Sequence, residues 1–221
     1  MKKVVVFGAG EFARVARVYL DGDSPHEVAA FTANEKYITD KKVDGLDVVP
    51  FEGLARTHPP DRFAMFVAVG FKRVNRARAE LYEQCRGMGY ELISYVSSKA
   101  SRWDGLETGD NCFIFENNVI QPFVRIGRDV IIWSGNHIGH HAEIGDHCFI
   151  ASHAVISGGV KLGPYTFVGV NATFRDGVTV GAENVIGAGA LILRDTKDKE
   201  VYAVPGTPPA GYPSGEVKSF K

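Results

Sequence analysis

A cluster of histidines is the part of this chain best suited to chemistry near neutral pH. Imidazole titrates close to pH 7, so a histidine can take a proton from an attacking amine or hydroxyl, or bind a metal ion. The cluster consists of His137, His140, His141, His147 and His153. Three of its members, His141, His147 and His153, recur at intervals of six residues. The chemistry open to them depends on the structure that a six-residue spacing produces.

The same six-residue spacing governs the apolar residues of the C-terminal half. Every sixth position from 114 to 192 is apolar, fourteen positions in succession. A six-residue step rotates a helical side chain by about 240°, so no helix face collects these residues, whereas a strand that bends every six residues does. Glycines directly after the apolar residue, such as Gly139 and Gly145, mark the bends, where the backbone turns tightly or takes a positive φ. Three six-residue edges close one coil, which predicts a parallel β-helix.

This geometry separates the histidines that are six residues apart. One step of six moves to the next corner of the coil, so His141, His147 and His153 cannot bind one metal ion within a single chain. A metal site of the γ-type carbonic anhydrase kind would need contacts between subunits, and we expect no metal. We expect His137, His147 and His153 to be surface or packing residues.

Residues three edges apart stack in columns, because each coil lies directly above the one before. Ile114, Ile132 and Ile150 form one such column, on an inner face. His140 and Gly158 form another, near a corner. The spacing therefore predicts that Gly158 lies one coil from His140.

Composition argues against several classes of partner. The 221 residues carry a formal net charge of -1 and a pI near 6.7, which gives no electrostatic reason to expect nucleic acid or an anionic membrane surface. The apolar run Val4–Phe7 is too short for a signal peptide, and no apolar segment is long enough to span a membrane, so we expect a cytoplasmic protein. The three cysteines form no C-x-x-C pair, which favours buried thiols over zinc or disulfide chemistry.

Residues 1–96 alternate between strand-like and helix-like segments, which predicts a small α/β domain with a mainly parallel sheet. The predicted strands are 3–7, 27–31, 47–49, 63–69 and 91–96, and the predicted helices are 11–20 and 73–86. The glycine-rich loop Gly8–Ala13 follows the first strand and opens the first helix, where backbone N–H groups can bind an anion. This loop fits a nucleotide or nucleotide sugar, NAD, or a purely structural turn. NAD usually pairs with an acidic residue at the end of the second strand, where this chain offers only Glu35.

A second loop with a possible anion-binding role follows the strand 63–69. Gly70–Arg76 carries three cations around a glycine and could face a diphosphate across the sheet edge. Solvated charges in the first turn of the helix 73–86 are the alternative interpretation.

The segments Ile138–Asp146 and Val155–Gly163 resemble the core of the hexapeptide-repeat sugar acyltransferases, in the group of the sialic-acid O-acetyltransferases and bacillosamine N-acetyltransferases. Together with the N-terminal domain, the resemblance covers nearly the whole chain. It implies a Rossmann-like nucleotide-sugar-binding domain at 1–96, a left-handed parallel β-helix acyltransferase domain at 97–210 and a C-terminal tail at 211–221. It also implies a homotrimer with active sites between subunits.

The resemblance implies the site residues as well. His140 takes the position of the general base, and the N–H of Gly158 that of the donor to the thioester oxyanion. Family members place an acid after the base, but this chain has His141 there, which leaves Glu143, Asp146 or a group from another subunit to orient the ring. The implied acetyl-CoA contacts are Phe149, Gly158, Val170 and Ala188. The implied substrate contacts are Gly10, Glu11, Phe12, Ala33, Asn34, Gly70 and Arg73.

Several of these positions depart from the family pattern. The family has a histidine at Phe149, a Gly-His pair at Glu11–Phe12 and two acidic residues at Ala33–Asn34. The last two departures bear on the identity of the nucleotide more than on acyl transfer. Near the C-terminus, Val204–Pro205 is similar to a segment that lies by the adenine of coenzyme A, and a cap over the last coil explains it equally well.

The expected activity is acetyl-CoA-dependent N-acetylation of an amino-deoxy sugar carried on a nucleoside diphosphate, by direct attack and without a metal. The resemblance connects this activity to surface polysaccharide biosynthesis. One alternative is O-acetylation of a sugar hydroxyl, such as that of sialic acid. Another is a non-enzymatic solenoid scaffold whose α/β part senses a ligand.

Overall fold

The structure is a computed structural model that describes residues 2–209 and 211–216; position 210 and residues 217–221 of the expected tail lie outside the described residues. The N-terminal part consists of alternating strands and helices. Its helices are α1 (Glu11–Asp23), α2 (Leu54–Thr57) and α3 (Arg76–Gly87), and its strands are β1 (Lys3–Phe7), β2 (Val28–Ala33), β3 (Lys42–Val43), β4 (Leu46–Pro50) and β5 (Phe63–Val67).

These strands form one sheet in the order β3-β4-β2-β1-β5, parallel throughout except between β3 and β4. The central strand β1 is buried on both faces, as its uninterrupted run Val4–Val6 requires. Helix α1 covers one face with Ala16 and Leu20, and α3 covers the other with Tyr82. The predicted α/β fold with a mainly parallel sheet is confirmed.

Only the predicted strand 3–7 keeps its bounds in the structure. The strands 27–31, 47–49 and 63–69 and the helix 11–20 each differ by one to three residues at an end, and the helix 73–86 and the strand 91–96 begin later than predicted. The predicted helix 73–86 begins only at Arg76, because residues 73–75 all have left-handed backbone angles. Asn75 Nδ2 donates to the Tyr165 carbonyl at 3.0 Å, which ties this turn to the C-terminal part of the chain. The predicted strand 91–96 divides between the two parts of the chain. Leu92 forms an isolated parallel bridge with Met65 of β5, and only Tyr95–Val96 forms a strand, which pairs with the C-terminal part.

The C-terminal part is a run of two-residue strands joined by four-residue turns, except that residues 193–200 connect the last two strands. The strands are β6 (Tyr95–Val96), β7 (Ser101–Arg102), β8 (Glu107–Thr108), β9 (Phe113–Ile114), β10 (Val119–Ile120), β11 (Arg125–Ile126), β12 (Ile131–Ile132), β13 (His137–Ile138), β14 (Glu143–Ile144), β15 (Phe149–Ile150), β16 (Val155–Ile156), β17 (Lys161–Leu162), β18 (Phe167–Val168), β19 (Thr173–Phe174), β20 (Thr179–Val180), β21 (Val185–Ile186), β22 (Leu191–Ile192) and β23 (Val201–Tyr202).

These strands stack into three parallel sheets, the faces of a triangular prism. Face 1 contains β6, β9, β12, β15, β18, β21 and β23; face 2 contains β7, β10, β13, β16, β19 and β22; face 3 contains β8, β11, β14, β17 and β20. Each strand pairs in register with the strand one coil on, as Ile132 does with Ile150. From β9 to β22 the second residue of each two-residue strand points inward, so the apolar residues of the six-residue period form the core. The predicted left-handed parallel β-helix is confirmed.

The corners turn at a different position from the one predicted. Left-handed backbone angles recur at every sixth residue three positions after the inner apolar residue, and His141, His147 and His153 occupy such positions with φ of 58°, 62° and 62°. The glycines directly after the apolar residue serve another purpose: a Cβ on Gly139 would lie 2.5 Å from the Gly158 nitrogen of the next coil. The expectation of a positive φ at these glycines was therefore wrong, because close approach between coils is what requires them.

A buried polar network joins the N-terminal part to the β-helix. The fully buried Arg78 of α3 donates from Nε to Asp129 Oδ1 at 3.1 Å and from Nη2 to the carbonyls of Asp129 and His147, each at 2.9 Å. The second carboxylate oxygen of Asp129 lies 2.8 Å from His147 Nδ1. His147 is thus a buried packing residue at a corner between faces 3 and 1. Helix α3 of the N-terminal part thus contacts the β-helix directly. The predicted domain boundary at residue 96 stays a prediction.

Candidate active site

The corner between faces 2 and 3 brings together the two residues predicted from their spacing. His140 follows β13 and Gly158 follows β16, one coil on. A Cβ built on Gly158 would lie 2.6 Å from His140 Cε1 and 2.8 Å from Nε2, so the imidazole rests directly on the Gly158 α-carbon. The φ of Gly158 is outside the left-handed region, so glycine is needed here for the space it leaves to the ring.

His140 is exposed and is held from two sides by its own chain. Its backbone N–H donates to Gln121 Oε1 at 2.8 Å, and its Nδ1 lies 3.2 Å from His141 Nδ1. The His141 ring in turn packs on the exposed Phe123, with ring centroids 4.7 Å apart. His141 is therefore the side chain that can orient the His140 ring within one subunit. Sequence reasoning missed Gln121 and Phe123, which occupy the same corner one coil below.

The carboxylates that were candidates for orienting His140 point elsewhere in this chain. Glu143 lies on face 3, with Oε1 3.3 Å from Lys161 Nζ. Asp146 accepts from the backbone N–H of Arg128 at 2.9 Å. Among the described residues, neither carboxylate hydrogen-bonds to the His140 imidazole.

The predicted oxyanion donor already has an acceptor. The Gly158 N–H donates to Asp176 Oδ1 at 2.9 Å, and Asp176 stands one further coil along the same corner. The same arrangement recurs where Asp146 accepts from Arg128 N–H, so it is a regular cap on outward N–H groups of this solenoid. A thioester oxygen that binds to Gly158 N–H must replace the Asp176 carboxylate.

The predicted acetyl-CoA contacts lie on other parts of the prism. Val170 and Ala188 are one coil apart at the corner between faces 1 and 2, where Gly189 N–H donates to the Val170 carbonyl at 2.8 Å. Phe149 points outward from face 1 and is buried, with ring centroids 5.1 Å from Phe71. Face 2 separates these residues from His140 and Gly158, so one chain does not bring the two halves of the expected site together.

The predicted nucleotide-binding loop lies at the carboxyl end of the parallel strands. Gly8 has φ of 124°, and a Cβ there would lie 2.8 Å from the Ala68 carbonyl oxygen, so only glycine fits between β1 and the end of β5. Gly10 is the N-cap residue of α1 and has open space around its α-carbon, as does Gly70 on the loop after β5. Glu11 is exposed beside them. The strand order changes direction at β1, and ligands bind open α/β sheets at such a point.

Phe12 and Arg73 are engaged elsewhere. The half-buried ring of Phe12 packs against Phe66, Phe113 and Trp133 at the junction with the β-helix, with centroids 5.9 to 6.3 Å apart. Arg73 pairs with Glu80 of α3. Neither side chain extends freely over the loop.

Ala33 and Asn34 end the second strand at the same sheet edge. Ala33 is buried, and Asn34 Nδ2 donates to Glu52 Oε1 at 3.3 Å. Glu52, which sequence reasoning missed, comes from the turn after β4.

Over residues 2–209 and 211–216, no group of three or more histidine, cysteine or acidic residues is arranged to hold a metal ion. None of the helices described is long and apolar enough to cross a membrane. The six-residue spacing of His141, His147 and His153 instead follows from their shared left-handed corner position, which histidine tolerates better than most residues.

Known proteins agree with this architecture. Residues 106–139, 124–158 and 159–194 match the family model described as bacterial transferase hexapeptide (six repeats). No curated protein sequence matches the chain.

Solved structures extend the similarity to the N-terminal part. A histidine-to-asparagine variant of perosamine N-acetyltransferase from Caulobacter crescentus, in complex with CoA and GDP-perosamine, has a TM-score of 0.81 and 26% identity over 91% of this chain and 93% of that one. The acetyltransferase domain of PglB from Neisseria gonorrhoeae, in complex with acetyl coenzyme A, has a TM-score of 0.78 and 25% identity over 90% and 95%. WeeI from Acinetobacter baumannii, at a TM-score of 0.78 and 17% identity over 91% and 96%, shares the fold. The expectations of an enzyme and of acetyl-CoA as co-substrate are confirmed, and the matches bear out the resemblance to the hexapeptide-repeat sugar acyltransferases.

Proposed function

We propose that the protein transfers an acetyl group from acetyl-CoA to the amino group of an amino-deoxy sugar carried on a nucleoside diphosphate. The observation that carries this proposal is the exposed His140 imidazole resting on Gly158, which puts a base beside a backbone N–H. The perosamine N-acetyltransferase complex holds CoA and a nucleotide amino sugar on a similar fold, which supports the same substrate classes here. With these two co-substrates, we propose a cytoplasmic reaction.

The reaction needs one proton acceptor and one oxyanion donor. The neutral sugar amine attacks the thioester carbonyl carbon, and the new C–N bond forms as His140 takes the amine proton. The oxyanion binds to the Gly158 N–H in place of Asp176. When the C–S bond breaks, coenzyme A leaves as its thiol with the proton that His140 held. Each step needs only groups of this chain and the two substrates.

His141 sets the tautomer of the base. If His140 Nε2 is to accept the proton, its Nδ1 must carry a hydrogen and needs an acceptor. The Nδ1 of His141, 3.2 Å away, is that acceptor within the subunit. Histidine thus takes the place that an acid occupies in related enzymes, and it does so without adding a negative charge beside the base.

A complete site needs two copies of the chain. His140 and Gly158 lie at the corner between faces 2 and 3, whereas the acyl-donor positions Val170 and Ala188 lie at the corner between faces 1 and 2. We propose a homotrimer in which each site joins these two corners from neighbouring subunits.

Face 2 is the surface best suited to that contact. Its outward column includes Val119, Val155 and Leu191, with exposed fractions of 42%, 37% and 61%. Face 1 is covered by the N-terminal part, and face 3 carries charged pairs such as Glu143 with Lys161. These exposed apolar side chains, which alternate with Ser101, His137 and Thr173 along the column, are stabilised when a second copy buries them.

The test follows free coenzyme A while acetyl-CoA is supplied with nucleotide amino sugars, free sialic acid or other sugar hydroxyls in turn. We expect release with a nucleotide amino sugar and an N-acetylated product by mass spectrometry. Release only with sialic acid would establish the O-acetyltransferase alternative, and silence with every acceptor would favour a scaffold. His140→Ala should lower turnover about a hundredfold or more. His58→Gln, which changes a histidine of the N-terminal part away from both corners, is the matched control.

A further inference from the structure

A carboxylate reaches the end of β2 from the neighbouring strand. Glu52 lies in the 3-10 turn Phe51–Gly53, which directly follows β4. Because Pro50 of β4 pairs with Ala33 of β2, the residues after both strands lie side by side. Glu52 Oε2 accepts from the backbone N–H of Glu35 at 3.0 Å, and Oε1 lies 3.3 Å from Asn34 Nδ2. The carboxylate is therefore fixed at the carboxyl edge of the sheet.

The hydrogen bonds to Glu52 also settle its charge. Its own backbone N–H and that of Glu35 lower the pKa of the Glu52 carboxyl, so it is ionised at neutral pH. The side chain is exposed, and two oxygens offer about four lone-pair positions, of which the neighbouring N–H groups use only some. The remaining lone pairs face solvent and can accept hydroxyl hydrogens from a ligand.

The position of this carboxylate matches one part of a bound nucleotide. Strands β1, β2 and β4 are consecutive in the sheet, and adjacent strands are about 4.8 Å apart. A diphosphate at the Gly8–Gly10 loop after β1 would leave its ribose beside the end of β2. In dinucleotide-binding folds an acidic residue at the end of the second strand accepts a hydrogen bond from the ribose hydroxyls. This chain has Ala33 and Asn34 there, and Glu52 supplies the missing carboxylate from β4.

We infer that Glu52 is a specificity residue that accepts hydrogen bonds from the ribose 2′- and 3′-hydroxyls of the nucleoside diphosphate. The inference rests on the proposed nucleotide-sugar acceptor and narrows its class to ribonucleoside diphosphates. A nucleotide that lacks the 2′-hydroxyl loses a hydrogen bond to this ionised carboxylate, so the site favours the ribonucleotide. Acceptors on 2′-deoxyribonucleotides, such as dTDP, are therefore poor substrates.

The test measures nucleotide affinity directly, so it does not depend on turnover. Isothermal titration calorimetry of the full chain compares GDP, UDP, ADP and CDP, each with its 2′-deoxy form. We expect the ribonucleotide of the preferred base to bind roughly tenfold or more tightly than its deoxy form, as the loss of a hydrogen bond to a charged group implies. Glu52→Gln should bring that ratio close to one. Glu35→Gln, which changes the neighbouring acid but keeps its backbone N–H, should leave the ratio unchanged.

Every other outcome of the calorimetry contradicts a named part of the inference. Equal affinity for ribo and deoxy forms, or an unchanged ratio in Glu52→Gln with an unaltered melting temperature, overturns the role of Glu52 while nucleotide binding stands. Collapse of the ratio in Glu35→Gln alone assigns the contact to Glu35 instead. If GDP, UDP, ADP, CDP and their deoxy forms all fail to bind, both the nucleotide acceptor and this inference are overturned.

Discussion

Replacing Gly158 by alanine is the most direct test of the proposed base. The new Cβ would lie 2.6 Å from His140 Cε1, whereas ordinary contact begins at 3.4 Å, so the ring must retreat by about 0.8 Å. A displacement close to 1 Å in a reacting group costs about a hundredfold in rate. The backbone at Gly158 is outside the left-handed region, so alanine is compatible with the fold and the loss should appear in turnover rather than in stability.

The assay is the kcat/KM for coenzyme A release in a double-mutant cycle. Gly158→Ala should lose about a hundredfold in the wild-type background and little in the His140→Ala background, where no ring remains to be displaced. Thermal unfolding of each variant checks that the β-helix is intact. Near-normal turnover in Gly158→Ala would refute the placement of the ring. An equal hundredfold loss in both backgrounds would show that Gly158 acts without His140.

Three further results are expected. Mixing inactive His140→Ala and Val170→Asp subunits should restore about a quarter of wild-type activity, because random assembly leaves about a quarter of the sites with both corners intact. No recovery of activity would mean that each chain holds its own site. Asp176→Ala should lower the KM for acetyl-CoA roughly threefold or more, because it frees the Gly158 N–H. Asp146→Ala, which removes an equivalent cap from the Arg128 N–H, should leave the KM unchanged. An unchanged KM in Asp176→Ala would show that this carboxylate does not compete with the thioester. Hydrogen bonds from Ser98 and Tyr95 hold the pKa of Asp23 well below its usual range. The difference in unfolding free energy between the wild type and Asp23→Asn should therefore be constant at neutral pH and shrink as pH falls below about 4. Urea unfolding at several pH values measures this difference, and its persistence at low pH would contradict the prediction.

The β-helix and its central pair could be predicted because one rule generates them. A six-residue period fixes which side chains point inward, and three periods return the chain to the same corner. His140 and Gly158 were therefore placed together from their spacing alone, and the histidines six residues apart were separated. The position at which each corner turns was predicted wrongly, because a glycine can be required either for a positive φ or for the close approach of two backbones.

The contacts that no period governs were not predictable. Glu52 reaches Asn34 only because β4 lies next to β2, a pairing that sequence spacing does not encode. The turn at 73–75 forms where Asn75 binds a carbonyl of the β-helix, far along the chain. Asp176 was overlooked because a surface aspartate gives no signal until the N–H below it is known.

The column at the corner between faces 2 and 3 restricts how the length of this chain can change during evolution. Insertion or loss of a whole coil beyond Asp176 would lengthen or shorten the prism and leave the column intact. Insertion of a single edge between His140 and Gly158 would carry Gly158 to another corner and leave the imidazole facing a different backbone. Length can therefore vary by whole coils outside the stretch from His140 to Asp176. Within that stretch the number of residues is fixed, because it is itself part of the catalytic apparatus.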